Sequence, residues 1–586
     1  MPQPFEPIIS ENFNGGEVYS IEPILMKPNE LQKAVNVRYR LGGGFTNRPG
    51  FEEKIMTNFT GVGSNGPQGM FAFSDNEVYI AINGKIFVTN SDFSDSFELY
   101  SGLDTSATVE FLEYMGDIYV MNGVDVPLRM MRTVTATALS AGVSASLDVK
   151  TGQGFRFGTS GTVRVISSLG YDDITYSART NDTLTVTAGT VSYSHPIGSL
   201  IYEVKTISGA YKVAFGAEFQ NTWFAAGNSG ESTKTFSKNT LFWTVGATGL
   251  NPEKFYDFTG SGSGIIPAGD KSDIVGLLKT KTYLLIFKSK SILYCSGFNS
   301  SNIPILEPLT EIYGAAGPRA FTQVRDQVVV FTGRAIKQVG EQENLANIAP
   351  SINAGFDDKI FKWFAELDED QSDAVLHYNP DQKLLKLWCN LGGVRTCRVL
   401  DTNIQEQPWS RDTNKNASCA VFFKGETFWG SDSEAKIFQD EVGYDDNGIG
   451  IRSEVKLADF NAGTSRISKY FQYQYLRGLL GEGTEITVNI YFDDVLIQTY
   501  TLTDDLVSVS GGTPIGRVLI GGGIATSEES ATLGYPFEIE KLLKKRRDTS
   551  KMTVEFISDG TGQVFEIKGQ ELNGLYSKKF DRKLRS

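Results

Sequence analysis

Histidine is almost missing from this chain: 586 residues contain two, His195 and His377. Histidine-based acid–base catalysis and His-rich metal ligation therefore have almost no raw material. His195 precedes Pro196 in a turn, and His377 runs into the turn residues Tyr378-Asn379-Pro380-Asp381, so both read as structural or surface positions. Cysteine is scarce too, four residues with no C-x-x-C spacing, which argues against a disulfide framework, a zinc ribbon and a redox pair. Cys389 and Cys397 would face each other only across a three-residue loop Gly392-Gly393-Val394, and reduced, buried thiols are the expectation. No apolar run approaches the ~18 residues of a membrane span. Met1 to Glu17 has neither the basic start nor the apolar stretch of a secretory signal, so synthesis in a cytoplasm is expected. Gly260-Ser261-Gly262-Ser263-Gly264 runs into Ile265 without dinucleotide-type glycine spacing, and no P-loop is present. No cofactor and no metal are expected.

What is abundant points to strands. Gly at 61, Phe at 38 and Tyr at 24 favour turns and aromatic-rich strands over helices. The length exceeds one compact core and implies roughly three or four units. A strand–turn–strand unit recurs, as in Asn76 to Val88, Met115 to Gly123, Lys281 to Tyr294, Gln327 to Ile336, Lys383 to Leu400 and Glu426 to Phe438. Most gaps between copies are on the order of the ~40–50 residues of a propeller blade. One hairpin cannot hide its apolar face, whereas hairpins stacked radially about an axis can.

The gap from about Arg132 to Phe215 is too long for one blade and is rich in short Thr- and Ser-bearing strands, which suits an inserted β-domain. After Asp445-Asp446-Asn447-Gly448, a turn and boundary signal, the period-two runs Lys469 to Leu476, Glu485 to Phe492 and Met552 to Ile557 indicate a sandwich. The fold class expected is therefore mainly β: a β-propeller with an inserted small β-domain and a C-terminal β-sandwich-like domain. The expected divisions are 1–132 (N-terminal segment and first blades), 133–215 (insert), 216–444 (remaining blades) and 445–586 (sandwich with a basic end).

The formal charge is −14, which argues against a protein that grips the DNA backbone over a wide face. From Glu540 onward there are 12 Lys and Arg against 7 Asp and Glu, so the end is basic and the rest of the chain acidic. Lys541, Lys544, Lys545, Arg546 and Arg547, and then Lys578, Lys579, Arg582, Lys583 and Arg585, are candidate docking positions for an acidic neighbour.

The most informative stretch is Asn36 to Phe51, a strand, the turn Gly42-Gly43-Gly44, a return strand and the Pro49-Gly50 corner. Three glycines permit backbone geometry that other residues take at a cost, and Arg48 brings five donors to the bend. This segment resembles the N-terminal part of tailed-bacteriophage (podovirus-type) tail nozzle, tail hub or packaged-DNA stabilisation proteins. The order of Trp243-Thr244-Val245 with Asn251-Pro252, Gly269-Asp270 and Gly317-Pro318-Arg319 ahead of their hairpins extends the likeness over most of the chain. The resemblance implies a non-enzymatic virion structural protein. It would be a subunit of a homohexameric ring beneath the portal and its adaptor, retaining packaged double-stranded DNA and conducting it during ejection. Its location would be the virion tail, after synthesis in the host cytoplasm, with residues 133–215 reaching outward, even to a host surface. Two other readings stand beside it: a receptor-binding tail protein acting through the insert, and a propeller glycoside hydrolase using Asp368 and Asp370 in the acidic run Asp368-Glu369-Asp370.

Overall fold

The computed structural model describes residues 4–74, 76–114, 116–144, 146–188, 190–207, 211–227, 238–245, 264–344, 347–353, 358–461, 469–503, 535–543 and 549–576. The chain is almost entirely β and builds a propeller joined to a sandwich. Seven four-stranded blades can be followed among the described residues. They begin at the strands Gly69–Ser74, Glu110–Tyr114, Phe215–Phe219, Ile274–Lys279, Phe321–Val324, Val375–Asn379 and Ala417–Phe423. These first strands pack side by side around the axis. Between the fourth and fifth blades the contact runs through aromatic rings: Phe321 stacks on Phe287 with centroids 4.1 Å apart. Gly276 is required there, since a Cβ would stand 2.3 Å from the Phe321 ring.

The seventh blade is closed from far away in sequence. Its outermost strand is Phe51–Glu53, antiparallel to Ile437–Asp440. Phe51 inserts edge-on against Trp429 and Phe438, so the corner at Pro49-Gly50 delivers an aromatic ring into the last blade's core.

From the sequence, residues 1–132 group together, but strand pairing divides them. Ile8–Ser10, Glu30–Val35, Val37–Tyr39 and Phe45–Asn47 belong to the sandwich. One of its layers runs Val37–Tyr39, Phe45–Asn47, Phe565–Tyr576, Lys469–Leu480, Tyr535–Leu542. The other runs Glu30–Val35, Ile449–Leu457, Met552–Gly560, Glu485–Phe492, Val495–Thr503, and continues into the sixth blade where Val35 pairs with Arg411. Phe13, Leu31, Val37 and Phe45 from the N-terminal part share one core with Val488, Phe556 and Ile567. Burying such side chains is worth ~1.5–3 kcal/mol each, which is why this segment leaves the blades that follow it in sequence.

The insert extends the second blade's sheet. Leu200–Thr206 is the fourth strand of that blade, pairing with Leu128–Val134 on one side and with Gly161–Ser167 of the insert on the other. The sheet runs on through Gly170–Arg179, Thr183–Ala188 and Ser146–Asp148, over a core that includes Val163, Ile174 and Leu184.

The Gly392-Gly393 turn holds two residues, both with positive φ, and Leu391 pairs with Val394. A two-residue hairpin turn of this kind fits the strand twist. In that register Cys389 opposes Thr396 while Cys397 opposes Trp388, so the two thiols lie on opposite faces and in different cores. All four cysteines are free and buried, and burial pushes the Cys389 thiol up to about 12. No helix among the described residues is long and apolar enough to cross a membrane.

Candidate functional site: the sandwich–propeller seam and the propeller axis

Two places of buried polar chemistry bear on how the blades and the sandwich meet. The first is the seam where the N-terminal segment crosses from sandwich to propeller. Asn36 adopts φ 54° and its amide donates to the Arg411 carbonyl at 2.7 Å. Its side-chain oxygen accepts from Arg48 Nε at 2.9 Å and from the Thr413 amide at 2.8 Å. Arg48 is 0% exposed and spends its donors fully. Nη1 and Nη2 make a two-pronged contact with Asp446 at 2.8 and 2.6 Å, and also reach the Pro49 and Thr413 carbonyls at 2.9 and 3.0 Å. A planar fork suits such a carboxylate; an ammonium would not reproduce it.

Beside it, Arg38 grips Asp412 through two bonds of 2.8 and 2.6 Å and also holds Glu441. Lys386 bonds Asp440 and Glu441, and Lys415 bonds Asp440 at 2.6 Å with Asp412 and Glu441 at 3.2 Å. Four cations therefore meet four carboxylates with nearly no water contact. Burial opposes these charges, and at six of the eight groups the opposite charges outweigh it. Asp412, Asp440 and Glu441 are held below the usual carboxylate range, while Arg38, Arg48 and Lys415 are raised.

The glycine turn seats this seam against the sandwich. The Gly43 carbonyl accepts from the Phe13 amide at 2.6 Å, and Gly43, at φ 92°, lies so close to Glu11 that a Cβ would come within 2.6 Å of its carbonyl. Gly44 faces Ile567, whereas Gly42 meets nothing nearby. At Gly50 a Cβ would fall 1.6 Å from the Asp445 carbonyl, so the corner admits glycine alone.

The second place is the propeller axis, a cavity of about 320 Å³ walled by the blades' first strands. It is crossed by one side chain. Arg319, just before the fifth blade, donates to the carbonyls of Ser418 at 2.8 Å and Val109 at 3.4 Å, and to that of Gln68. Those carbonyls belong to the seventh blade and to the starts of the second and first, the latter two lying across the ring from the fifth. The guanidinium therefore ties the fifth blade to the seventh, first and second where they meet at the axis. Glu110 stands 4.0 Å from Arg319 with 33% of its side chain exposed to the cavity, and burial pushes its carboxyl up. His377 faces the same cavity and bonds Thr427 Oγ1 at 3.2 Å. Burial, with Lys386 nearby, pulls its imidazole down to about 4.

Of the residues singled out from sequence, the structure brings Arg48, Pro49 and Gly50 together at the seam, with the three glycines on the neighbouring hairpin. Lys541 is partly buried, its ammonium 4.8 Å from the Tyr500 ring centre. Lys544, Lys545, Arg546, Arg547, Lys578, Lys579, Arg582, Lys583 and Arg585 lie outside the described residues, as do Gly260 to Ser263 and Asn251 to Phe255. Asp368 accepts from the Gly392 and Gly393 amides at 2.7 and 2.8 Å, and Asp370 from the Ser372 amide at 2.9 Å; both carboxylates hold turns. His195 is a buried residue bonded to Ser167 and Asp172, not a surface one. The Arg319 bridge and the partners of Arg38 were not signalled by spacing, because their partners lie up to 403 residues away.

No family model matches the chain, and no curated protein does. Among solved structures, similarity extends to an exo-β-1,3-galactanase from Phanerochaete chrysosporium, with 8% identity, 62% of this chain and 96% of that one covered, and a TM-score of 0.22. It extends also to the Pan2 WD40 domain of Neurospora crassa, with 8% identity, 67% and 95% coverage, and a TM-score of 0.28. Likeness this distant carries nothing about chemistry, and the propeller stands on its own strand order.

Proposed function

We propose that this chain is a structural subunit of a phage tail, assembling into a ring whose central passage retains packaged DNA and conducts it during ejection. The observation that carries the reading is the segment from Asn36 to Phe51, which resembles the nozzle-type proteins. It is the piece of chain that locks sandwich to propeller, through Arg48, Gly50 and Phe51. A subunit that must hold DNA under pressure needs two domains that do not shear, and a dry seam of paired charges resists shear at every contact. Arg319 reaches across the propeller's own axis, so the passage would lie between subunits, with the propellers as its wall. An acidic wall would deny phosphate any binding well along the path.

Portal-adaptor and other tail proteins would be the neighbours, with the basic end as one docking element. Electron microscopy of the protein in its native assembly is the test. A six-fold ring with an open centre, attached to a DNA-containing particle, is the expected result; free monomers or peripheral trimers would overturn the reading. A second reading, receptor binding through the insert, is favoured by the exposed Leu169, Tyr171, Tyr193 and Ile197. Trimers that bind host cells, and lose binding when residues 135–199 are deleted, would support it.

A further inference from the structure

The insert holds a hydrogen-bonded chain that neither reading uses. His195 is 1% exposed, and its backbone is fixed by reciprocal bonds with Leu139, both 2.8 Å. One ring nitrogen, Nε2, lies 2.9 Å from Asp172 Oδ2; the other, Nδ1, lies 2.9 Å from Ser167 Oγ. Asp172 is fixed in turn by the Ser192 and Tyr193 amides at 2.9 and 3.0 Å. Burial works against its ionised form, but these amides and His195 outweigh it and hold its carboxyl below the usual range. An ionised Asp172 takes the Nε2 hydrogen, which leaves the Nδ1 lone pair facing the serine hydroxyl. That is the order nucleophile, base, orienting carboxylate, with the ring nitrogens exchanged relative to the serine proteases.

Ser167 ends the strand Gly161–Ser167 and is only partly buried. It opens on a cavity of about 460 Å³ between the insert and the first blade. Val88, Phe97, Ile166, Ile197 and Leu200 give that cavity apolar walls, with Asp95 as its charged lining group. Ser168 and Asn90 bring hydroxyl and amide donors to the same space. A merely structural pin would not need its serine end to face a cavity of ligand size.

We propose that Ser167 is a nucleophile activated by His195, acting on small uncharged O-acyl esters. Ser167 Oγ would bond to the acyl carbon as its proton passes to Nδ1. The ester C–O bond would then break, with the departing alcohol taking that proton. Water, deprotonated by the same nitrogen, would attack the acyl-serine, release the acid and restore the hydroxyl.

The test is labelling of the full-length protein with an uncharged alkyl fluorophosphonate, followed by peptide mass mapping. One adduct on Ser167, formed at least tenfold faster than on Ser168, is expected, together with hydrolysis of p-nitrophenyl acetate. Ser167→Ala should lose both signals, and Asp172→Asn should slow labelling at least tenfold with the melting temperature of the protein as the fold control. An unlabelled Ser167 in the wild-type protein overturns the proposal whatever the variants do. So does labelling that a folded Asp172→Asn protein leaves unchanged.

Discussion

The seam and the axis solve the same problem, holding blades together where apolar packing stops, by opposite means. At the seam, four cations and four carboxylates neutralise one another with almost no water. At the axis, one guanidinium binds backbone carbonyls across a cavity, with a single carboxylate and an imidazole beside it. A buried ionic network is fragile to the loss of any member, because each deletion strands a charge. Carbonyls left by a missing arginine can turn to water in the cavity, so the axis should forgive what the seam does not.

The largest effect should follow from Arg48→Ala, which strands Asp446 and removes bonds to Pro49, Thr413 and Asn36. A loss of about 3–5 kcal/mol is expected, measured by chemical denaturation. Arg48→Lys should recover only part of it, since the fork is lost. The same seam sets the acid limit. Asp412, Asp440 and Glu441 are depressed in the folded state, so their stabilisation is complete above their unfolded values near ~4 and is lost as pH falls further. An acid unfolding transition displaced to higher pH in Arg48→Ala would mark the seam as the origin.

Arg319→Ala should cost less, about 1–3 kcal/mol, because the carbonyls it leaves face a cavity that water can fill. If its cost equalled that of Arg48→Ala, the contrast between the two regions would be wrong. The Glu110 carboxyl, whose charged form Arg319 favours, should rise further in the variant. Asp368→Ala should cost about 1 kcal/mol, the worth of a turn cap on Gly392 and Gly393. It should leave the oligomeric state unchanged; a loss of polysaccharide cleavage on this substitution would instead favour the hydrolase reading.

Much of the strand content was legible in the chain, and the reasons are local. Asn83-Gly84 and Gly392-Gly393 announce hairpins because their positive-φ conformations are read from two residues. The propeller with its insert and sandwich followed from such units and their spacing. Blade number was not legible, because the seventh blade takes its last strand from residues 51–53. Arg48 could be named as a residue that binds carbonyls or a carboxylate, but Asp446 lies 398 positions away, and nothing local identifies it. At His195 the turn that follows it and a structural role were legible from Pro196, but its partners Ser167 and Asp172, 28 and 23 residues upstream, were not.

The last prediction sharpens the comparison most, because pH separates the two regions. His377 is neutral in the folded protein down to about 4, whereas an unfolded chain takes up that proton near ~6.5. Between these values the unfolded state binds more protons, so this residue should make stability fall as pH drops from ~6.5 to about 4 and then level off. The seam carboxylates contribute only below that window. Stability measured against pH should therefore show two separate declines, and His377→Gln should erase the upper one while keeping the lower. Because the His377 ring borders a cavity and bonds the uncharged Thr427 hydroxyl, glutamine can occupy its place without stranding a charge. A proton NMR titration of His377 in the native protein checks the cause directly: a midpoint near 6.5 would mean that the axis admits enough water to solvate an imidazolium. The cavity beside the Arg319 bridge would then be wetter at His377 than the burial of its ring implies.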